Sequence, residues 1–307
     1  MTIIKKEKKG NITVYTVKKN FDDAKMASMM SKFVQPSLID IVLKDDADVY
    51  TEEGKLLLKF RKNVLPKADI DIFYDNIFAF ASLETSNRGT AGGGSKKKNL
   101  TDNKAIKSNI FGYFDSWTPS HKIKFSKLGI KAPLGVRECR FNQKWPEKYK
   151  ETIPLIEEVD RLYEKLTPDQ YALQKRKANQ TPFRISNTAF TTVTTNMNFR
   201  TAIHTDKGDD PEGFGNLAVI QRGSYKGGET CFPQYGVGVD LRTGDILFMD
   251  VHQPHGNLPM TDKSKDAIRL SIVCYLRTRI WERTKGKTRK FMEKHNRTIK
   301  KMFTKEA

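Results

Sequence analysis

At 307 residues and 37% hydrophobic composition the chain can bury a full core, and no run of about 18 apolar residues exists to form a membrane-spanning helix. Lysine and arginine outnumber aspartate and glutamate 55 to 36, a net charge of +19 that points to a polyanionic partner, nucleic acid ahead of an anionic membrane surface. Cys139, Cys231 and Cys274 are widely separated and form no CxxC pair. That spacing argues against a disulfide framework or structural zinc and fits a reducing compartment.

In chain order, the first ten residues carry Lys5, Lys6, Lys8 and Lys9 and no apolar stretch, which reads as a soluble, intracellular protein without a secretory signal. Strand-like runs follow at Ile12 to Tyr15 and Lys55 to Phe60, then an apolar segment from Ile70 to Leu83 that belongs to the main core. Asn87 to Lys98 is glycine-rich and basic without periodicity, so residues 87–108 are expected to form a flexible loop. It lacks the GxxxxGK[ST] spacing of a phosphate loop, but Arg88, Lys96, Lys97 and Lys98 are weak candidates for gripping a nucleic-acid backbone.

Ile153, Ile156, Val159, Leu162 and Tyr163 recur at three- and four-residue steps, predicting an amphipathic helix from Pro146 to Lys165. Thr167-Pro168-Asp169-Gln170 has the pattern of an N-cap with a capping box, placing a second helix over Pro168 to Ala178. From Ile185 the pattern changes to strands: Thr188 to Thr195, Asn198 to His204, Leu217 to Gln221, Glu229 to Phe232, Val237 to Arg242, Ile246 to Val251 and Arg269 to Arg277. Glycine-containing turns separate them at Tyr225 to Gly228 and Thr243 to Asp245.

The expected architecture is α+β, a double-stranded β-helix (jelly-roll, cupin-like) with supporting helices. One domain is expected: an N-terminal support over 1–184, the β-helix over 185–277 and a basic helix over 278–307. From Arg277 onward twelve Lys/Arg stand against three Glu, and Phe291, Met292, His295, Ile299, Met302 and Phe303 mark an apolar stripe under that basic face.

Three of the five histidines lie between 204 and 255. On a strand, His204 and Asp206 share a face, and with His255 they compose a two-histidine, one-carboxylate set that holds Fe(II) and leaves positions open. His252 competes for the distal place, but His255 sits beyond a strand end with Gly256 after it, where there is room to approach a metal. Arg269 and Ser271 share one face of a strand buried on both sides, and a fixed arginine beside a hydroxyl suits the distal carboxylate of 2-oxoglutarate. An internal salt bridge is the plainer alternative for Arg269.

Thr188 to Thr192, Asn198 to Asp209, Gly227-Gly228-Glu229, Phe232 to Gly236, Gly244-Asp245, His255-Gly256-Asn257 and Arg269-Leu270-Ser271 together resemble the TET/JBP clade of Fe(II)- and 2-oxoglutarate-dependent dioxygenases, its viral and phage branch in particular. The likeness is dense over 185–277 and looser over 82–150. It implies hydroxylation of the 5-methyl group of a pyrimidine in DNA, 5-methylcytosine or thymine. A monomer is expected, and the compact single-domain plan suits a protein acting in the host cell of a virus or phage. The cofactors would be Fe(II), 2-oxoglutarate and O2, with ascorbate as reductant. His204, Asp206 and His255 would hold iron, Arg269 and Ser271 would anchor 2-oxoglutarate, and Asn198 and Arg200 would touch cosubstrate or base. The DNA, single- or double-stranded, would present a flipped base. Two other readings stand beside it: a protein or small-molecule hydroxylase of the prolyl hydroxylase type, and a non-catalytic cupin-like binding module.

Overall fold

A computed structural model describes residues 2–85, 89–93 and 106–304. The strands are β1 (Ile3–Lys9), β2 (Ile12–Val17), β3 (Ile41–Leu43), β4 (Ala47–Thr51), β5 (Leu56–Arg61), β6 (Ser108–Phe114), β7 (Arg137–Glu138), β8 (Thr192–Met197), β9 (Gly215–Arg222), β10 (Lys226–Gly227), β11 (Thr230–Phe232), β12 (Val237–Val239), β13 (Ile246–Met249), β14 (Gly256–Asn257), β15 (Met260–Thr261) and β16 (Ile268–Tyr275). The helices are α1 (Asp23–Met29), α2 (Lys67–Ala81), α3 (Pro119–Lys127), α4 (Arg140–Lys144), α5 (Pro146–Leu166), α6 (Pro168–Ala178), α7 (Thr278–Thr284) and α8 (Arg289–Thr304). Two compact units divide them, Met1–Asn109 with Thr194–Lys207 and Phe214–Val273, and Ile110–Val193 with Gly208–Gly213 and Cys274–Ala307.

The first unit contains two facing sheets. In the larger, strands run in the order β1-β2-β4-β5-β13-β9-β16-β8; the smaller has the order β14-β11-β12-β3. Most pairings are antiparallel, but β2–β4 and β12–β3 are parallel, because the chain returns to each sheet through a crossover rather than a hairpin. Alternate residues of both sheets point into one shared core, including Val49, Leu58, Phe60, Leu217 and Leu247 from the larger and Phe232, Val237 and Val239 from the smaller. Full burial of each large side chain contributes roughly 1.5–3 kcal/mol. This is the double-stranded β-helix.

The apolar run from Ile70 is helical, not extended. Ile70, Phe73, Ile77 and Phe80 fall on one buried face of α2, while Ile72 and Phe78 are exposed on another. Thr85 and Ile106 form an antiparallel bridge, and Gly89–Gly92 makes a 3-10 turn. Arg88, Lys96, Lys97 and Lys98 lie outside the described residues.

In the second unit β6 and β7 pair antiparallel, and α5 and α6 occupy nearly the predicted ranges. The capping box does not form. Thr167 makes no side-chain cap, and its hydroxyl donates instead to the Tyr163 carbonyl of the preceding helix at 3.0 Å. The C-terminal segment is two helices rather than one: Gly286, at φ +76°, separates them, and the Thr288 hydroxyl accepts from the Phe291 N–H to start α8.

Two strand expectations also change. The Thr188 to Thr195 run enters the sheet only at Thr192. Asn198 to His204 is not a strand: Asn198 takes φ +50°, and the segment follows an irregular path. Its backbone partners are remote in sequence, with Ala202 N–H donating to Ala91 O at 3.0 Å and Ile203 N–H to Lys32 O at 2.9 Å. The threonine and aliphatic alternation of this stretch mimics a strand, but tertiary hydrogen bonds hold it instead.

Candidate metal and cosubstrate site

All residues of the site belong to the first unit. His204 and His255 form an isolated antiparallel bridge, each N–H donating to the other's carbonyl at 2.9 and 3.0 Å. Asp206 N–H donates to Val251 O at 3.0 Å. Backbone pairing with the chain beyond β13, and not strand parity between 204 and 206, brings the three side chains together. His204 Nε2 lies 3.6 Å from Asp206 Oδ1, and His255 Nε2 lies 3.7 Å from Asp206 Oδ2. One ligand atom from each of the three falls within 4.8 Å of the others.

Each imidazole is oriented by a carbonyl. His204 Nδ1 sits 2.8 Å from Ala202 O and His255 Nδ1 2.9 Å from Gln253 O, so Nδ1 carries the proton and the Nε2 lone pair is free toward the centre. Burial pushes His255 down to about 4, and the neighbouring His204 adds to that against the opposing pull of Asp206. A neutral imidazole is what a metal needs at neutral pH. His252, by contrast, does not join the cluster; its backbone N–H donates to Asp250 Oδ1 at 3.0 Å.

Gly256 gives His255 its room. A Cβ there would meet Val34 at 3.0 Å and the Ala202 carbonyl carbon and oxygen at 3.1 Å, and that oxygen is the one that orients His204. Phe232 covers His255, with ring centroids 6.1 Å apart.

Arg269, on β16, is 6% exposed, and among the described residues it forms no ion pair with a carboxylate within 4.0 Å. Its side-chain contact is weak, Nη2 to Thr230 Oγ1 at 3.5 Å. Burial lowers its affinity for its proton, since the charge is taken from water without a full counter-ion. Arg269 lines a cavity of about 250 Å³ with Asn198, Arg200, Gly228, Asn257 and Met260. A buried guanidinium with no carboxylate at ion-pair distance among the described residues, facing a cavity of that size, fits an anionic ligand such as the carboxylate of 2-oxoglutarate. The pair of histidines with one carboxylate likewise fits Fe(II). The internal salt bridge considered for Arg269 does not form among the described residues.

The other candidates have different surroundings from those their strand positions suggested. Ser271 is buried and accepts from Asn196 Nδ2 at 3.3 Å, without lining the cavity. Asn198 lines it but turns its amide on the backbone around Arg269: Oδ1 accepts from Arg269 N–H at 2.7 Å and Nδ2 donates to Ala267 O at 3.1 Å. Arg200 lies 4.6 Å over the Phe33 ring and donates from Nη2 to Val34 O at 2.9 Å. Asn257 and Thr230 were not singled out from sequence. Asn257 accepts from Thr201 Oγ1 at 2.6 Å and donates to Thr230 Oγ1 at 3.2 Å, tying the approach to His204 to the strand beneath Arg269. The asparagine that closes His255-Gly256-Asn257 was the available pointer.

Comparison with known proteins agrees with this arrangement. A segment of JBP2, a bifunctional helicase and thymine dioxygenase from Leishmania braziliensis, is 35% identical over 169 residues, 55% of this chain and 14% of that protein. Thymine dioxygenase JBP1 from Trypanosoma brucei brucei is 31% identical over 196 residues, 63% of this chain and 21% of that protein. The matched segments thus span 14% and 21% of the length of these curated relatives. The solved structure of NgTET1 in complex with 5mC DNA matches with a TM-score of 0.54 at 14% identity, covering 94% of this chain and 90% of that one, a likeness of fold. The model of the Tet_JBP family, described as the oxygenase domain of the 2OGFeDO superfamily, matches residues 125–278. This chain belongs to the Tet_JBP family of Fe(II)- and 2-oxoglutarate-dependent oxygenases.

Proposed function

We propose that this chain hydroxylates the 5-methyl group of a pyrimidine in DNA, with thymine as the favoured base. The observation that carries this reading is the likeness, at 31–35% identity, to proteins named as thymine dioxygenases. 5-Methylcytosine is the second base; the likeness to NgTET1, at 14% identity, supports fold and not substrate. The net charge of +19 supports a polyanionic substrate independently.

As a member of its superfamily the enzyme uses Fe(II), 2-oxoglutarate and O2. His204, Asp206 and His255 would hold the iron, and Arg269 would receive the distal carboxylate of 2-oxoglutarate. O2 is the oxidant for hydroxylation, taking two electrons from 2-oxoglutarate, which leaves as succinate and carbon dioxide, and two from the methyl group; bound iron would couple the two oxidations. The chain positions and shields: the Ala202 and Gln253 carbonyls fix which imidazole nitrogen faces the metal, Asn198 holds the strand that carries Arg269, and Phe232 keeps one side dry. His255 is only 4% exposed, so a methyl inside a base stack cannot reach it; the base must be flipped or unpaired.

The test is nucleoside mass spectrometry of DNA incubated with the protein, Fe(II), 2-oxoglutarate and ascorbate. 5-Hydroxymethyluracil is expected. A product only from 5-methylcytosine would change the base, and succinate without any DNA product would favour a protein or small-molecule hydroxylase. No succinate with any substrate would remove the oxygenase reading.

A further inference from the structure

Within the second unit, α8 is amphipathic in an unusual way. Phe291 and Met292 pack on a cluster of Tyr113, Val136, Phe183 and Ile280, while Ile299 and Met302 pack on Trp117 and Phe125. His295 Nε2 also meets the Val136 carbonyl at 2.7 Å. These contacts at three- and four-residue steps set the rotation of the helix and leave the opposite face outward.

On that outward face Lys290, Lys294, Arg297 and Lys301 recur at steps of four, three and four residues, and all four are exposed. They form a single stripe roughly 16 Å long. Among the described residues none has a carboxylate partner at ion-pair distance; Glu293, the one acid of the helix, pairs with Arg289 at 3.2 Å. Solvated surface lysines are usually interspersed with acids. Here four like charges are stacked along one line, which costs self-repulsion unless a polyanion lies against it.

We propose that this stripe is a docking surface for the sugar-phosphate backbone of DNA, contacting successive phosphates without reading bases. The inference rests on the DNA reading above and adds the surface through which the substrate is held. Phosphate rather than an anionic membrane is favoured by the geometry: the cations stand in a line with no apolar residue among them, whereas a helix lying in a lipid surface sinks an apolar face, and the apolar face of α8 is already packed.

The experiment compares three proteins for binding of a short duplex by fluorescence anisotropy over about 50 to 200 mM salt. In the first, Lys290, Lys294, Arg297 and Lys301 are all changed to Gln. In the second, the control, the exposed lysines Lys8, Lys9, Lys44 and Lys55 of the first unit are changed to Gln, removing equal charge. The third keeps charge in the stripe, with Lys290→Arg, Lys294→Arg, Lys301→Arg and Arg297→Lys. Loss of all four phosphate contacts should lower the slope of log affinity against log salt by about 3 to 4 and weaken binding at least about tenfold at the lower salt. The control and the charge-keeping protein should hold the wild-type slope.

An unchanged slope in the first protein, an equal fall in the control, or a fall in the charge-keeping protein would each overturn the proposal. Anionic vesicles run beside the duplex test the other surface; tighter, stripe-dependent binding to vesicles than to DNA would also overturn it. Failure of the base-oxidation reading appears separately, as absence of an oxidised nucleoside while stripe-dependent binding persists.

Discussion

Asn198 offers a graded test of how the cavity keeps Arg269 in place. Its side chain accepts from Arg269 N–H at 2.7 Å and donates to Ala267 O at 3.1 Å, and its backbone N–H donates to Arg269 O at 2.9 Å, all at φ +50°. Asn198→Asp keeps the acceptor and tolerates the left-handed backbone, losing one donated bond, about 1 kcal/mol. Asn198→Gly keeps the backbone but loses both side-chain bonds, about 1–3 kcal/mol. Asn198→Ala loses both and adds the left-handed penalty, about 2–4 kcal/mol in all. Urea unfolding of the metal-free protein should therefore rank Asn above Asp, Gly and Ala in that order. The KM for 2-oxoglutarate should rise in the same order, while iron affinity changes little, because Asn198 touches none of the three ligand residues. Equal damage by Gly and Ala would show that the backbone conformation is not what asparagine supplies. Damage by Asp as large as by Ala would show that the bond to Arg269 N–H does not hold the site.

Replacing His204, Asp206 or His255 with Ala should abolish succinate formation, while His252→Ala should retain it; the reverse for the two distal histidines would move the metal site. Arg269→Lys should raise the KM for 2-oxoglutarate at least about tenfold in steady-state assays, since an ammonium cannot pair with both carboxylate oxygens. Gly256→Ala should weaken iron binding by displacing the Ala202 carbonyl from His204 Nδ1, seen by metal titration, with a smaller loss in thermal stability. In the metal-free protein, His255 is held at about 4 when folded and titrates near 6.5 when unfolded. The unfolded chain therefore takes up the proton first, so the stability present above about 6.5 falls as the pH drops toward about 4. Urea midpoints across that range check this, and His255→Gln should flatten the decline.

The chemistry of the site was legible where residue type alone carries it: two imidazoles, one carboxylate, and an arginine on a strand buried from both sides. The strand holding Arg269 and both helices over 146–178 were legible too, since each buries a regular face. The path from Asn198 to His204 was not. Its alternation resembles a strand, yet its partners are Lys32, Ala91 and His255, contacts that no local pattern encodes. The same gap hid how Asn198 and Arg200 reach the cavity. Both line it beside Arg269, but one also clamps the Arg269 backbone and the other rests on Phe33. Ile70 to Leu83 left its type open because it is apolar on more than one face; burial of Ile70, Phe73, Ile77 and Phe80 makes it a helix.

The reciprocal backbone bridge between His204 and His255 joins points about fifty residues apart in the chain. In an unfolded chain, closing such a loop costs about 3.5 kcal/mol of entropy beyond a constant. An unfolded chain can offer a metal His204 and Asp206 together, but the third ligand only at that cost. Iron is therefore a selective ligand of the finished jelly-roll. Its concentration should raise the unfolding midpoint by mass action, which would make the proposed iron site also a cross-link whose strength the concentration of iron sets.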